Sequence, residues 1–220
     1  MSALDGSEAD LEREIVTGFA AAVALAHDSL TRFDQHSGDG DFGDNLRGGV
    51  TAAVERLSNA SASPLSVLGA VFLDDVGGTS GPLLGLLFTE IAVAVADAPD
   101  SVDGWATGLA AGLSAITRVG EAAVGDRTMV DALAPAVESL RDTGDFAAAA
   151  AAAADGAHAT ASMRARMGRA SYVGERAKGE PDPGAAGVAL FMWVVATVLT
   201  RTSIAPPLDC GLEQLSFDRG

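Results

Sequence analysis

The chain has 220 residues, of which 48% are hydrophobic, so it can form one large domain with a buried core, although two small domains also fit this length. Its 30 acidic residues outnumber its 14 basic residues and give a net charge of −16, which excludes a generally basic surface for nucleic acid or an anionic membrane. A small phosphorylated ligand remains compatible, because metal ions can bridge carboxylates to phosphates.

Cysteine usage and the N-terminus both bear on the cellular compartment. The lone Cys210 rules out an internal disulfide and is typical of a reducing compartment. The first residues, MSALDGSEADLERE, lack the basic start and apolar core of a signal peptide, which predicts a cytoplasmic protein. The longest apolar run, 184–199, is short for a membrane span, so we expect a buried helix there and no transmembrane segment.

Helix patterns occur along the whole chain, and no alternating strand pattern is bounded by hairpin turns, which predicts an all-α fold. In the first helix, apolar residues recur at steps of three and four and form a core-facing stripe of Ile15, Phe19, Val23, Ala26, Leu30 and Phe33. Seven further helices are predicted at about 44–59, 64–75, 81–97, 101–119, 129–142, 145–167 and 183–202. Short connections make neighbours antiparallel, so the sequence predicts an eight-helix up-and-down bundle or barrel.

Four loops interrupt this pattern with glycine and charged or hydroxyl residues: 34–45, 74–85, 120–132 and 168–185. They join helices 1–2, 3–4, 5–6 and 7–8. In an antiparallel array such loops fall on one end of the bundle. Sites in helical proteins are commonly built where loops gather, so this end is the candidate site.

The first loop contains the segment GDGDFGDNL, which concentrates negative charge. Asp34, Asp39 and Asp41 can supply oxygen ligands, and oxygen-only ligands favour Mg²⁺ or Ca²⁺. An EF-hand that began at Asp39 would need Glu at its twelfth position, where the chain has Val50, so Mg²⁺ held together with substrate phosphates fits better. Asp44 is predicted to be a helix N-cap.

Two of the other loops are compatible with phosphate binding. In GGTSGP, the hydroxyls of Thr79 and Ser80 precede an apolar helix whose free N–H groups can bind phosphate oxygens, although many Gly-Ser turns look similar. Neither a Walker A loop nor a dinucleotide-binding glycine motif is present. Three cations, Arg169, Arg176 and Lys178, lie in the fourth loop and either contact a ligand or only solvate the loop.

Taken in order, GDGDFGDNL, GGTSGPLLG, GDRTMVDAL and GRASYVGERAKGEPDPGA resemble the ADP-binding L subunit of dihydroxyacetone kinases, the DhaL family. The resemblance extends over most of the chain, and four ordered motifs are far more specific than any one of them. It implies an eight-helix antiparallel barrel over residues 1–220, as a single nucleotide-binding domain, with ADP or ATP and two Mg²⁺ ions at one end.

The resemblance also assigns site residues. The family's metal aspartates correspond to Asp34, Asp39 and Asp41. The positions implied to contact the nucleotide are Phe42, Gly43, Asp44, Asn45, Thr79, Ser80, Gly120, Met129, Arg169, Asp182, Pro183 and Gly184. Met129 would pack against adenine, Arg169 would be the cationic contact, and 182–184 would close over the base. Family members usually carry His directly after the last metal aspartate, whereas this chain has Phe42, which keeps a backbone N–H but lacks a side-chain donor.

What the resemblance implies chemically is phosphoryl transfer, with the aspartates holding metal rather than acting as bases. In the family a separate K subunit binds the hydroxy-ketone covalently through a histidine, and His27, His36 and His158 show no arrangement suggesting such a site here. The chain is therefore expected to dock on a K subunit. Exchange of ATP and rephosphorylation of bound ADP by a phosphotransferase-system protein both stay open, as does a homodimer. The alternative is a non-catalytic Mg-nucleotide sensor in which binding orders 168–184 for a regulatory partner.

Overall fold

The structure is a computed structural model that describes residues 4–215, with side chains described from residue 10 onward. Eight α-helices follow in chain order: α1 (Leu4–Ser37), α2 (Phe42–Arg56), α3 (Pro64–Asp74), α4 (Ser80–Ala94), α5 (Val102–Gly120), α6 (Val130–Thr143), α7 (Phe146–Ala159) and α8 (Pro183–Thr200). Within residues 4–215 there is no β-strand. The predicted all-α fold with eight helices is confirmed.

The helices form a closed ring. Each helix packs against the next one along the chain, and α8 packs against α1, which closes the barrel. Because the connections between most neighbours are short, consecutive helices run in opposite directions. The predicted up-and-down arrangement therefore describes the fold. The loops α1–α2, α3–α4, α5–α6 and α7–α8 lie at one end of the ring, and the other connections lie at the opposite end.

The core is filled by the apolar faces of the helices. The predicted stripe on α1 is buried along its whole length, with Phe19 1% and Phe33 5% exposed. Phe19 and Phe88 both contact Phe191 of α8, at ring centroid distances of 5.2 Å and 5.0 Å. Aromatic pairs of this kind contribute beyond their buried area. They connect α1, α4 and α8 across the centre of the barrel.

Helix α8 is the most apolar element of the ring. Its length and hydropathy would be enough for a membrane span, yet 83% of its 18 residues lie inside the fold. A helix buried on all sides is apolar all round for that reason alone. The expected buried helix over 184–199 is thus present as a core element.

Helix ends agree with the predicted capping chemistry at several points. Ser63 and Ser101 accept hydrogen bonds from Ser66 N and Gly104 N at 3.3 Å and 3.1 Å, and Asp145 accepts from Ala147 N at 2.8 Å. Such side-chain caps satisfy N–H groups that have no partner within the helix.

The predicted helix over 145–167 is wrong from residue 160 onward, because α7 ends at Ala159. Beyond that point tertiary partners take the backbone groups that a helix would use. Ala161 O accepts from Gly179 N at 2.9 Å, and Ala165 N donates to Gly174 O at 3.3 Å. The segment 160–182 consequently folds back on itself through short 3-10 turns at Thr160–Ser162, Arg169–Tyr172 and Gly174–Ala177.

Candidate functional site

An open cleft lies at the end of the ring where the loops α1–α2, α3–α4, α5–α6 and α7–α8 meet. It encloses about 1090 Å³ when the solvent at its open mouth is included. Most of the predicted site residues line it: Asp34, Asp39, Asp41, Phe42, Asn45, Thr79, Ser80, Gly120, Met129, Arg169, Asp182, Pro183 and Gly184. The four loops that were expected to share one end of the bundle do so.

Two predicted residues, Gly43 and Asp44, do not line the cleft. A side chain at Gly43 would lie 3.0 Å from the carbonyl oxygen of His27, so this glycine lets α2 pack closely on α1. The N-cap role predicted for Asp44 is wrong, because α2 begins at Phe42 and Asp44 stands in its first turn. Its carboxylate bonds His27 Nε2 at 3.0 Å and Arg47 Nη2 at 2.6 Å. The hydrogen bond from His27, with help from Arg47, lowers the pKa of Asp44.

Asp34 lies on the last turn of α1 and organises the start of α2. Its Oδ2 accepts the backbone N–H of Phe42 at 3.0 Å, and its own carbonyl accepts from Gly38 N at 2.5 Å. The side chain of Asp41, which occupies the N-cap position, makes no capping bond. Asp34 therefore does the capping from the neighbouring helix, and the carboxylate of Asp41 stays exposed at the cleft.

Asp39 is held by a cation from the opposite wall of the cleft. Its Oδ2 pairs with Nη1 of Arg169, which lies in the 3-10 turn after residue 168. Across the described residues, no group of three or more His, Cys, Asp or Glu side chains is arranged to hold a metal ion. The donor set is nonetheless the one that Mg²⁺ prefers, since carboxylate oxygens from Asp34, Asp39 and Asp41 face one cleft. Movement of Arg169 would release Asp39 for a cation.

The loop after α3 presents a helix start to the cleft. Helix α4 begins at Ser80, and its N-cap residue Thr79 makes no side-chain capping bond. The first N–H groups of α4 therefore keep their capacity to bind an anion. Gly81 lets the first turn of α4 pack closely on the preceding loop, because a Cβ there would come within 2.8 Å of Val76 Cγ1.

Apolar side chains form a further wall of the cleft. Phe72, Leu84, Ile116 and Met129 line the cleft, and Met129 is 5% exposed at the N-terminus of α6. A Cβ at Gly184 would lie 3.4 Å from Met129 Cε, so the loop 182–184 and Met129 are in contact distance. The flat faces of a purine ring suit such a surface.

Arg127 is a cleft residue that sequence reasoning missed. Its side chain is fully buried, and its Nη2 donates to the carbonyl oxygens of Glu180 and Pro181 at 3.0 Å and 3.4 Å. Its Nη1 lies 3.8 Å from Asp182 Oδ1. The signal in the sequence was a cation directly after the Gly-Asp turn of GDRTMVDAL, in a chain with only 14 basic residues.

Two charged neighbours of Asp182, Arg127 and Asp131, shift its pKa in opposite directions. It caps α8 by accepting Ala185 N at 2.8 Å, and its own N–H donates to Thr160 Oγ1 at 2.8 Å. Burial raises the pKa of Asp182 to about 6, with Asp131 adding to the rise and Ala185 N–H and Arg127 opposing it. Burial lowers the pKa of Arg127, and Asp182 acts against that change.

Fold and cleft together define a helical barrel with an acidic loop, a hydroxyl-glycine helix start and an apolar wall around one ligand site. The chain belongs to the DAK2 domain family, whose sequence pattern matches residues 36–197. The resemblance drawn from the four motifs is confirmed.

Named relatives cover the chain to different extents. The ADP-binding subunit DhaL of the PEP-dependent dihydroxyacetone kinase of Escherichia coli is 36% identical over 180 residues, which are 76% of this chain and 86% of that subunit. The D-erythrulose kinase of Mycolicibacterium smegmatis is 38% identical over 200 residues, or 84% of this chain. The chain spans about a third of the length of that kinase, 34%.

A solved structure has the same fold. The crystal structure of the dihydroxyacetone kinase from C. freundii in complex with AMP-PNP and Mg²⁺ superposes with a TM-score of 0.67 and 28% sequence identity. The match covers 85% of this chain and 33% of that one. The barrel described here therefore corresponds to one part of a larger kinase.

Proposed function

We propose that this chain is the Mg-nucleotide-binding subunit of a dihydroxyacetone-type kinase. In this proposal it supplies a phosphoryl group to a small hydroxy-ketone or related sugar that a separate K subunit holds. The proposal treats residues 1–220 as one nucleotide-binding domain. It extends to this chain the ADP, AMP-PNP and Mg²⁺ that the names of its relatives attach to those proteins.

One observation carries the proposal: a single cleft collects residues from all four motifs. The cleft is lined by three carboxylates, by a helix start without a side-chain cap, and by an apolar wall next to the loop 182–184. These are the groups that a metal-bound polyphosphate with an attached base requires.

The roles of the residues follow from the chemistry of phosphoryl transfer. Bound Mg²⁺, in two ions, would offset the charge of the phosphates. Asp34, Asp39 and Asp41 would hold the metal, while the N–H groups at Thr79 and Ser80 would orient phosphate oxygens. Arg169 would leave Asp39 and pair with the phosphates instead. The chain thus positions the reactants and needs no proton-transfer residue of its own.

The phosphoryl acceptor is assigned to a partner because the histidines here are otherwise engaged. His27 bonds Asp28 and Asp44, His36 bonds Lys178 O at 2.9 Å, and His158 bonds Pro207 O at 3.0 Å. None of them lines the cleft. A K subunit docking over the cleft would complete the enzyme, and the donor would be exchanged ATP or ADP rephosphorylated in place by a phosphotransferase-system protein. A cytoplasmic location and a homodimer belong to the same proposal.

A non-catalytic sensor is the second candidate, favoured by the contact between Arg169 and Asp39. Metal entry would break this ion pair and release the turn 169–172 from the acidic loop. A partner that binds only one conformation of 168–184 would then respond to nucleotide binding. Phosphorylation of dihydroxyacetone by the chain with a K subunit would separate the kinase from the sensor.

The first experiment is calorimetric titration of ADP and ATP into the purified chain with and without Mg²⁺. We expect binding only with the metal, and at least a tenfold loss in Asp39→Asn with unchanged helicity. Asp142→Asn is the matched control, because Asp142 is exposed in the last turn of α6 and removes the same charge far from the cleft. Equal binding by Asp39→Asn and Asp142→Asn would refute the metal assignment.

A further inference from the structure

Arg127 is the least expected group in the cleft. Its guanidinium is fully buried, and in the described part of the chain its Nε and Nη1 atoms have no hydrogen-bond partner. Burying unpaired donors of a charged group costs free energy, so such groups in native proteins call for a reason. Stability alone gives none, because an apolar residue of similar size would fill the same space.

The backbone around Arg127 is built to hold it there. Arg127 has a left-handed backbone, with φ 63°, which is uncommon for a residue with a side chain. The carboxylate of Asp131 accepts Gly125 N at 2.5 Å and Thr128 N at 2.9 Å and so fixes the turn. Met129 follows on the same turn and faces Gly184.

The same turn grips the segment that enters α8. Nη2 of Arg127 bonds the carbonyls of Glu180 and Pro181, while Nη1 stands 3.8 Å from Asp182 Oδ1. That separation is about 1 Å longer than a charge-assisted hydrogen bond. A small inward movement of 182–184 would complete the pair and satisfy one free donor.

We propose that Arg127 is a positioning residue for the nucleotide: it anchors 180–181, and ligand binding draws the Asp182 carboxylate onto its free Nη1, which closes 182–184 over the base. This inference rests on the proposed nucleotide site. Arg127 acts through the loop and is not assigned a direct ligand contact.

Electrostatics supports a coupling between closure and ionisation. The charged groups that act on Asp182 are Arg127 and Asp131, of which only Arg127 favours the carboxylate. In the open arrangement burial raises the pKa of Asp182 to about 6. Closer approach of Arg127 lowers that pKa, so closure is favoured when Asp182 is ionised. Nucleotide affinity should then rise as the pH increases through about 6.

The test is calorimetric titration of Mg-ADP between about pH 5 and pH 8 into the wild-type chain, Arg127→Met, Arg127→Lys and Asp182→Asn. Asn keeps the α8 cap, because it is as good an N-cap residue as Asp. The β-phosphate of ADP itself titrates in this range, so the readout is the difference between variants at each pH. Thermal melts and circular dichroism establish that each variant is folded.

We expect Arg127→Met to weaken Mg-ADP binding at least tenfold at pH 7.5, Arg127→Lys to recover part of it, and Asp182→Asn to lose the pH-dependent rise. In the Asp182→Asn background, Arg127→Lys should lower Mg-ADP affinity by less than twofold. An equal loss in both backgrounds would show a tether to the 180–181 carbonyls alone and would overturn the inference.

Wild-type-like affinity and pH profile in Arg127→Met would overturn it as well. If Arg127→Met does not fold, the Arg127→Lys and Asp182→Asn cycle decides the question. Failure of the wild-type chain to bind Mg-ADP would instead refute the proposed function, so the two failures are distinguishable.

Discussion

The two charged walls of the cleft are built in opposite ways. On the acidic wall, Asp39 and Asp41 are exposed in a short turn, and only Asp34 has a backbone role. On the facing wall, Arg127 and Asp182 are buried and tied to the main chain at several points. Exposed charges can exchange partners at low cost, whereas buried charges fix the geometry around them. The comparison suggests that the acidic wall accepts a cation and that the buried pair sets the shape of the site.

Asp34 both lines the acidic wall and bonds the backbone of α2, so its replacement should have the largest effect on binding and stability together. Asp34→Ala removes a predicted metal ligand and the acceptor of Phe42 N–H. We expect Mg-ADP affinity to fall about a hundredfold and unfolding free energy to fall by about 1–2 kcal/mol, since a partly buried N–H loses its partner. Calorimetry and urea denaturation measure the two quantities.

Asp41→Ala is the comparison for this variant, because its carboxylate is exposed and caps nothing. It should lose affinity without losing stability. A loss of stability in Asp41→Ala equal to that in Asp34→Ala would show that the two carboxylates do not differ as the structure indicates.

Asp182 of the buried wall should make the stability of the fold depend on pH. The pKa of Asp182 is raised to about 6, so between about pH 4 and pH 6 the folded chain binds a proton that the unfolded chain has released. This carboxyl therefore lowers stability as the pH rises through that window. The stability of Asp182→Asn relative to the wild type should increase from pH 4 to pH 6 and then level off, by about 1–3 kcal/mol in all.

Urea denaturation of both chains at several pH values measures this difference, and the other carboxylates cancel in the comparison. A difference that does not change with pH would mean that Asp182 titrates normally. The pH dependence of the wild type alone is no guide, because paired carboxylates elsewhere contribute the opposite slope.

Arg169 connects the two walls, and its removal should change metal and nucleotide binding in opposite directions. Arg169→Ala frees Asp39, so Mn²⁺ binding without nucleotide should tighten by about threefold. Mg-ADP binding should weaken by about threefold to tenfold, because a cation that is proposed to pair with the phosphates is lost. Paramagnetic titration with Mn²⁺ and calorimetry with Mg-ADP test the two arms.

Arg176→Ala is the matched control, since Arg176 is an exposed cation of the same segment that does not line the cleft. It should leave both affinities within twofold. Parallel changes in Arg169→Ala and Arg176→Ala would indicate only a general charge effect.

Much of the fold and of the cleft followed from sequence because the underlying signals are local. Apolar spacing located the α1 stripe, and caps such as Ser63, Ser101 and Asp145 located helix starts. Most of the predicted site residues line one cleft. What local patterns cannot encode is a partner that is distant in the chain.

The wrong or missed predictions arose where contacts with distant residues determine the structure. Alanine propensity extended α7 to residue 167, but Gly174 and Gly179 take the backbone groups of 161–165. Asp44 looked like a cap, but Asp34 caps α2 from the preceding helix. Arg127 was passed over because its partners lie more than 50 residues away, at 180–182.

Replacing Phe42 by the His that the resemblance implies at this position should have the smallest effect on binding. Phe42 is 7% exposed, and a Cβ on Gly187 of α8 would meet its Cζ at 3.1 Å, so the ring packs against α8 inside the barrel. Phe42 also lines the cleft, where its N–H is already bonded to Asp34. We expect Phe42→His to change Mg-ADP affinity by less than threefold while lowering the melting temperature, because a buried imidazole needs polar partners that this position lacks. Phe42→Leu, which keeps the apolar contact, should retain both properties more closely. A gain of tenfold or more in Phe42→His would mean that position 42 turns toward the ligand in the bound state, and that the acidic wall rearranges more on binding than the buried wall does.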